Sequence, residues 1–260
     1  MGPARSVRET FELGGRVALI TGGSRGLGLQ IAQGLGEMGA KIAVSARKRH
    51  ELEAAQAQFA AHGIDAFTVV NDLARVEDIP SLVEAVVGHY GGIDILVNNA
   101  GTSWGAPAET HSLDAWNKVM TLNATSVFAL SQAVASRCFI PRRSGNIIIV
   151  ASVAALRVAQ QMKAAAYYAS KAAALNLTRA LAMEWGPYGI RVNAICPGFF
   201  PSKLASGLLE TIESSVIAGT PLGRLGGETD LQGAAVYLAS DASRHVTGQF
   251  IAVDGGASLA

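Results

Sequence analysis

Val17-Ala18-Leu19-Ile20-Thr21-Gly22-Gly23-Ser24-Arg25-Gly26-Leu27-Gly28 opens the stretch on which the fold turns, and that stretch runs on to Gly39. Residues 17–20 are a short apolar run suited to a strand buried on both faces. A glycine-rich turn follows, and Leu27, Ile31, Leu35 and Met38 then recur at helical spacing. Strand, glycine turn and helix together make a phosphate site. The first N–H groups of the helix point out of its end, and the macrodipole adds partial positive charge there. Glycines at 22, 26 and 28 let a pyrophosphate approach the main chain closely.

The spacing, Gly-x-x-x-Gly-x-Gly, departs from the Gly-x-Gly-x-x-Gly of the commonest dinucleotide fingerprint. The same residues also spell Gly-x-Ser-x-Gly around Ser24, the nucleophile elbow of α/β-hydrolases, so a hydrolase stands as a rival reading. Bulk properties narrow the field. With 260 residues, 50% of them apolar, and a formal net charge of +1, the chain fills a sizeable core. It has no basic field for nucleic acid, and its apolar runs are too short for a membrane span. The N-terminus lacks the apolar core of a signal peptide, which argues for a cytoplasmic protein. Cys138 and Cys196 have neither metal-ligand nor redox spacing, and the five histidines are scattered, so no metal site is expected.

Along the chain, residues 1–13 read as a loose arm, with Phe11 and Leu13 able to tuck onto the body. Strands are expected at 17–20, 41–45, 66–70, 93–97, 146–151, 191–195 and 250–253. Helices are expected from 27, and at 49–61, 76–90, 113–138, 165–185 and 230–240. This alternation predicts one α/β domain over 1–260, a doubly wound, parallel, seven-stranded sheet with helices on both faces. Residues 197–228 are too long for a simple connection and read as a lid over the carboxyl ends of the strands.

Tyr167 and Lys171 stand four apart early in the long helix and so share one face. A phenol, with a pKa of about 10, exchanges protons poorly near neutrality, and a nearby ammonium lowers that value. Tyr168 has Ala172 at the same offset and lacks this help. Ser152 follows the strand 146–151, where its hydroxyl can meet a substrate oxygen, although serines there often cap local backbone.

Thr21-Gly22-x-x-x-Gly26-x-Gly28, Asn71-Asp72-Leu73, Asn98-Asn99-Ala100-Gly101, Asn123, Ser152, Tyr167-x-x-x-Lys171 and Pro197-Gly198 occur in this order. In these motifs the chain resembles the short-chain dehydrogenase/reductase family over nearly its whole length. The resemblance implies a Rossmann-type fold and hydride exchange between a nicotinamide cofactor and a carbonyl or secondary alcohol. By motif, Tyr167 is the general acid/base and Ser152 holds the reacting oxygen. Lys171 lowers the tyrosine pKa and holds the nicotinamide ribose, and Asn123 interrupts its helix and anchors a water relaying protons to Lys171. The glycine turn, with Gly22, Ser24, Arg25, Gly26, Leu27 and Gly28, is implied to hold the pyrophosphate. Asp72 and Leu73 would lie at the adenine, Asn99, Ala100 and Gly101 along the cofactor's middle, and Pro197, Gly198, Phe200 and Ser202 at the nicotinamide. Members of the family are commonly tetramers, so a homotetramer is expected. The interval from Ser152 to Tyr167 is longer than is usual in the family. The complete Asn, Ser, Tyr, Lys set argues against a relative that has lost its activity.

At the end of the second strand the chain reads Ala46-Arg47-Lys48-Arg49-His50, with no carboxylate before Glu51. An acidic residue there would select NAD through its ribose hydroxyls. Arg47 and Lys48, with Arg25 facing them, instead suit a 2′-phosphate, and the expected cofactor is NADP(H). The pocket walls are expected from 102–108 with Trp104, from 153–164 with Arg157, Gln161, Met162 and Lys163, and from 199–227 with Phe199, Phe200, Leu204, Leu208, Leu209 and Ile212. An apolar wall with an anion anchor suits a 3-oxoacyl thioester or a mid-sized ketone. The stretch 197–203 is also similar to gluconate 5-dehydrogenases, which act on a sugar acid.

Overall fold

The computed structural model describes residues 6–159, 162–201 and 206–259. In order, the elements are α1 (Val7–Phe11), β1 (Val17–Thr21), α2 (Gly26–Glu37), β2 (Lys41–Ala46), α3 (Arg49–Ala61), β3 (Ala66–Val70), α4 (Ile79–Tyr90) and β4 (Ile95–Asn98). There follow α5 (Leu113–Met120), α6 (Ser126–Val134), α7 (Ile140–Arg142), β5 (Gly145–Val150), α8 (Ala165–Trp185), β6 (Ile190–Pro197), α9 (Ser206–Ala218), α10 (Gln232–Ala239) and β7 (Phe250–Val253). Among the described residues the seven strands form one parallel sheet in the order β3-β2-β1-β4-β5-β6-β7.

Successive strand residues face opposite sides, and each side has its own core. Leu19, Leu96, Ile147 and Ile149 pack with Leu82, Val86, Leu130 and Leu175 from α4, α6 and α8. Ile20, Val97, Ile148 and Val150 pack on the other face with Ile31, Leu35, Phe59 and Leu238 from α2, α3 and α10. Burial on both faces explains why the strands read as continuous apolar runs. The chain winds outward from β1 to β3, then returns to place β4 on the other side of β1. That reversal opens a crevice beyond the carboxyl ends of β1 and β4, where ligands of such sheets bind.

Three expectations change. The N-terminal arm is not loose over its described part. Residues 7–11 are helical, and Ser6 and Glu9 form a reciprocal capping box. Leu13 is fully buried and Phe11 packs against Tyr237 at 6.4 Å between ring centroids, as expected of that pair. The helix expected at 113–138 runs to Arg142 and contains two π-helical stretches, Thr121–Thr125 and Ala135–Phe139. The excursion after β6 contains a helix, Ser206–Ala218, that the sequence reading left out.

Candidate active site

The crevice is a cavity of about 890 Å³ that runs from the glycine turn to Phe200. At its β1 end, Gly22 and Gly26 take φ of +63° and +55°, the left-handed region open to glycine. A Cβ on Gly22 would lie 3.1 Å from the Cα of Ala100, so the β1 and β4 loops touch backbone to backbone. Thr21 fastens that contact: its Oγ1 accepts from the N–H groups of Asn99 (3.0 Å) and Ala100 (3.1 Å). The Asn99 amide donates back to the carbonyls of Thr21 (2.8 Å) and Gly22 (3.2 Å). Ser24, Arg25, Gly26 and Leu27 line the cavity where α2 begins, and Arg25 supplies no side-chain cap there. Gly28 does not line it. A Cβ there would sit 2.5 Å from the Gly22 carbonyl, so its smallness serves the packing of α2 under the turn.

Asp72, Leu73, Asn99, Ala100 and Gly101 line the cavity as expected, and so do Pro197, Gly198 and Phe200. Ser202 lies outside the described residues. Asn71 also lines the cavity, and its buried Oδ1 has no hydrogen-bond partner among the described residues. A backbone cradle at a helix start, an elongated cleft and an orphan acceptor fit a dinucleotide with an amino-bearing base.

Arg47 and Lys48 reach the same cavity from the end of β2. Arg25 faces them but is engaged: its Nε lies 3.2 Å from Glu51 Oε2, and Lys48 Nζ lies 3.6 Å from Glu51 Oε1. The sequence marks Glu51 only as the first carboxylate after β2 and assigns it no role. It stands in the first turn of α3, where the helix end favours negative charge.

The other end of the cavity carries Ser152, Tyr167 and Lys171. Ser152 ends the β5 run with extended backbone, and its Oγ accepts from the Ala154 N–H at 3.1 Å. It thus makes the ordinary capping contact, and its hydroxyl is also close enough to the phenol of Tyr167 to influence its proton. Burial pushes the Tyr167 phenol above its ordinary pKa, the Ser152 hydroxyl pulls it partly back, and Tyr168 pushes it up further. Lys171 is buried and is lowered to about 8 by that burial. Its Nζ donates to the Val150 carbonyl at 2.8 Å and lies 5.8 Å from the centre of the Tyr167 ring. The shared helix face is therefore real, but in the chain alone desolvation, not the ammonium, dominates the phenol.

Asn123 sits within the π-helical stretch, which interrupts the regular ladder as expected. Its side chain is fully used. Oδ1 accepts from Thr102 N–H at 2.9 Å, and Nδ2 donates to Thr102 O at 2.8 Å and to Ser170 Oγ at 2.9 Å. Ser170 in turn donates to the Tyr167 carbonyl at 2.8 Å. Gly101 has no Cβ to fill the space between: one would lie 3.2 Å from Asn123 Oδ1 and 3.6 Å from Lys171 Nζ.

The loop between Ser152 and Tyr167 borders the substrate end with Met162 and Lys163. It is pinned twice. Tyr168 Oη accepts from Ala159 N–H at 2.9 Å, and Ala106 N–H donates to Lys163 O at 2.8 Å. Arg157 lines the cavity but donates to the Ala257 carbonyl at 2.5 Å. Trp104 does not line it; Lys118 lies over its ring at 5.5 Å. Phe199 and Phe200 form the apolar wall. Gln161, Leu204 and the side chains of Leu208 and Leu209 lie outside the described residues, and Ile212 does not border the cavity.

A family model described as enoyl-(acyl carrier protein) reductase matches residues 22–258, from the glycine turn through Ser152, Tyr167 and Lys171 to beyond β7. The chain belongs to the short-chain dehydrogenase/reductase family. It is 39% identical over 253 residues to a gluconate 5-dehydrogenase of Gluconobacter oxydans, covering 96% of this chain and 98% of the relative. It is 39% identical over 255 residues to a rhamnolipid-biosynthesis 3-oxoacyl-[acyl-carrier-protein] reductase of Pseudomonas aeruginosa, covering 96% and 98%. The crystal structure of a gluconate 5-dehydrogenase from Burkholderia cenocepacia, in complex with NADP and tartrate, superposes with a TM-score of 0.92 at 37% identity, over 98% of this chain and all of that one.

As a short-chain dehydrogenase/reductase the chain is an oxidoreductase that interconverts a ketone and a secondary alcohol. The hydrolase reading of Ser24 has no partners to work with. No histidine lines the cavity among the described residues, and Asp230 and Asp241 are paired with Arg224 and Arg16, each at 2.5 Å. Among the described residues there is also no cluster of metal-ligating side chains, and no helix long and apolar enough to cross a membrane.

Proposed function

We propose that this short-chain dehydrogenase/reductase works with NADP(H) on a hydroxy or oxo acid of the sugar-acid type, with Ser152, Tyr167 and Lys171 as its catalytic residues. The observation that carries the reading is their convergence at one end of a cavity whose other end is a glycine cradle flanked by Arg47 and Lys48. NADPH supplies the hydride when bound, and the reverse reaction returns it. In reduction, Ser152 donates a hydrogen bond to the carbonyl oxygen, and Tyr167 transfers its phenolic proton to that oxygen as charge develops there. A phenol raised by burial is protonated at neutral pH and so is ready for that direction. Lys171 holds the cofactor's ribose and, with a water at the Asn123 turn, returns the proton to Tyr167. Gly22, Gly26 and the start of α2 take the pyrophosphate, and Asn71 and Asp72 take the adenine.

Lys163, exposed on the loop after Ser152, supplies a positive charge for a substrate carboxylate. A relative named gluconate 5-dehydrogenase, and another solved with NADP and tartrate, support an acidic, hydroxylated substrate. The wall of Phe199, Phe200 and Met162 favours one second reading, a 3-oxoacyl thioester, and another relative is named for that activity. A screen with purified protein and NADPH separates the two. Faster reduction of oxo sugar acids than of 3-oxoacyl thioesters supports the first reading, and the reverse order replaces it.

Segment 197–228 acts as the substrate lid. The chain assembles as a homotetramer through two faces, one bearing exposed Trp116, Phe128 and Met183, the other exposed Leu222, Phe250 and Leu259 near the edge strand β7. Light scattering at micromolar concentration is expected to return four chain masses; a single chain mass contradicts it. Two buried free cysteines suit a reducing compartment, the cytoplasm.

A further inference from the structure

Among the described residues Glu51 is the one acidic side chain within the basic lining of the cavity's β2 end, and it sits deeper than the cations it holds. Its side chain is 19% exposed, against 49% for Arg25 and 51% for Lys48, and all three border the cavity. One carboxylate thus engages two cations from two different elements, the α2 N-cap and the α3 N-cap. It does so from the first turn of α3, where the helix end itself favours an anion. Arg47, beside them, forms no ion pair among the described residues and borders the same space.

We propose that Glu51 is an internal counter-charge that occupies the place of the 2′-phosphate, limits the preference for NADP(H), and keeps NAD(H) usable in the same site. The proposal rests on the reading that Arg47 and its neighbours receive that phosphate. Binding of NADP(H) is then an exchange: the phosphate takes Arg25 and Lys48 from Glu51 and adds Arg47. Half-exposed ion pairs are individually weak, so the exchange proceeds, but the displaced carboxylate stays close to a group carrying nearly two negative charges. NAD(H) brings a neutral ribose hydroxyl, leaves the Glu51 pairs intact, and offers that carboxylate a hydrogen-bond donor.

Glu51→Gln keeps the size and the acceptor oxygen and removes only the charge. A unit charge about 5 Å from a dianion in a water-like dielectric changes affinity by roughly tenfold. The test is equilibrium binding of NADPH and of NADH, each by calorimetry, to the full parent chain, Glu51→Gln and Arg47→Ala. Thermal melts establish that each variant is folded. The expected result is a ratio of NADH to NADPH dissociation constants that widens about tenfold in Glu51→Gln and narrows at least tenfold in Arg47→Ala. A ratio within twofold of the parent in Glu51→Gln, or shifted towards NADH, overturns the proposal. An unchanged ratio in Arg47→Ala overturns the phosphate clamp, and a widened ratio in Glu51→Gln still stands for the counter-charge.

Discussion

Tyr167→Phe and Tyr168→Phe each delete one oxygen from adjacent residues, and the structure assigns the two oxygens different work. The Tyr167 hydroxyl faces Ser152 at the reacting end of the cavity. Its loss removes the proposed proton donor, and general acid catalysis is worth roughly a hundred- to ten-thousand-fold in turnover. Stability should hardly change, because Ser152 keeps its bond to the Ala154 N–H and a phenol that pays for desolvation is gone. The Tyr168 hydroxyl instead accepts from the Ala159 N–H at 2.9 Å and donates weakly to the Ala159 carbonyl at 3.4 Å. Its loss frees the loop that walls the substrate end. One net hydrogen bond is worth about 1 kcal/mol, or roughly fivefold in the population of the seated loop.

The assay is steady-state kinetics with substrate and NADPH each varied, together with NADPH binding by fluorescence. Tyr167→Phe is expected to lower kcat at least a hundredfold with cofactor binding nearly intact. Tyr168→Phe is expected to raise the substrate KM by about fivefold with kcat within twofold, the mild effect expected of a control. Two outcomes refute the reasoning: turnover of Tyr167→Phe within a few-fold of the parent, or equal losses of kcat in the two variants.

The pH dependence follows from Lys171, which burial lowers to about 8. Its ammonium is present below that value and lost above it, while Tyr167, raised by burial, keeps its proton across the same range. The reductive kcat/KM should therefore be level below about pH 8 and fall above it; a profile still level at pH 10 contradicts this. Asn123→Ala strands the Thr102 N–H and C=O, while the Ser170 hydroxyl loses one donor but keeps its bond to the Tyr167 carbonyl. At about 1–3 kcal/mol for each of these two unsatisfied groups, the folded chain should lose roughly 2–6 kcal/mol, and a melt unchanged within a degree argues against it.

Most of the architecture was legible because period and burial agree. Ile147, Ile148 and Ile149 serve both cores in turn, so the run is apolar throughout and reads as an inner strand. What stayed hidden was decided by contacts between distant residues. The i,i+3 spacing of Lys48 and Glu51 was on the page, but nothing in the spacing brings Arg25 to the same carboxylate. The four-residue spacing puts Lys171 beside Tyr167, yet it does not reveal that the ammonium is held by the Val150 carbonyl and that burial dominates the phenol. The π turn at Asn123 was legible only through the motif, the one at Ala135–Phe139 was not legible at all, and the helix Ser206–Ala218 lay in a stretch read as a lid. Gly28 belonged to the motif, but its task is packing behind the cradle, a distinction that needs the position of the Gly22 carbonyl.

The hydrogen bonds that hold the two ends of the site together form one continuous set. Thr21 and Asn99 lock the loop after β4 to the glycine turn. Thr102, at the far end of that loop, is held by both halves of the Asn123 amide, and Asn123 reaches Ser170, which bonds the backbone of Tyr167. The glycine cradle proposed for the pyrophosphate and the helix turn that presents the phenol are thus fixed to one loop. Each bond contributes about 1 kcal/mol net, too little to matter alone, but a buried member left unpaired costs more than the bond contributed. The set therefore favours one arrangement of both ends over any in which they move apart. Hydride transfer needs the donor carbon, the carbonyl and the proton donor aligned at once, and misplacement by about 1 Å costs on the order of a hundredfold. We propose that Asn123 and Ser170 act as positioning residues, fixing the distance between the cofactor and the phenol before either ligand arrives.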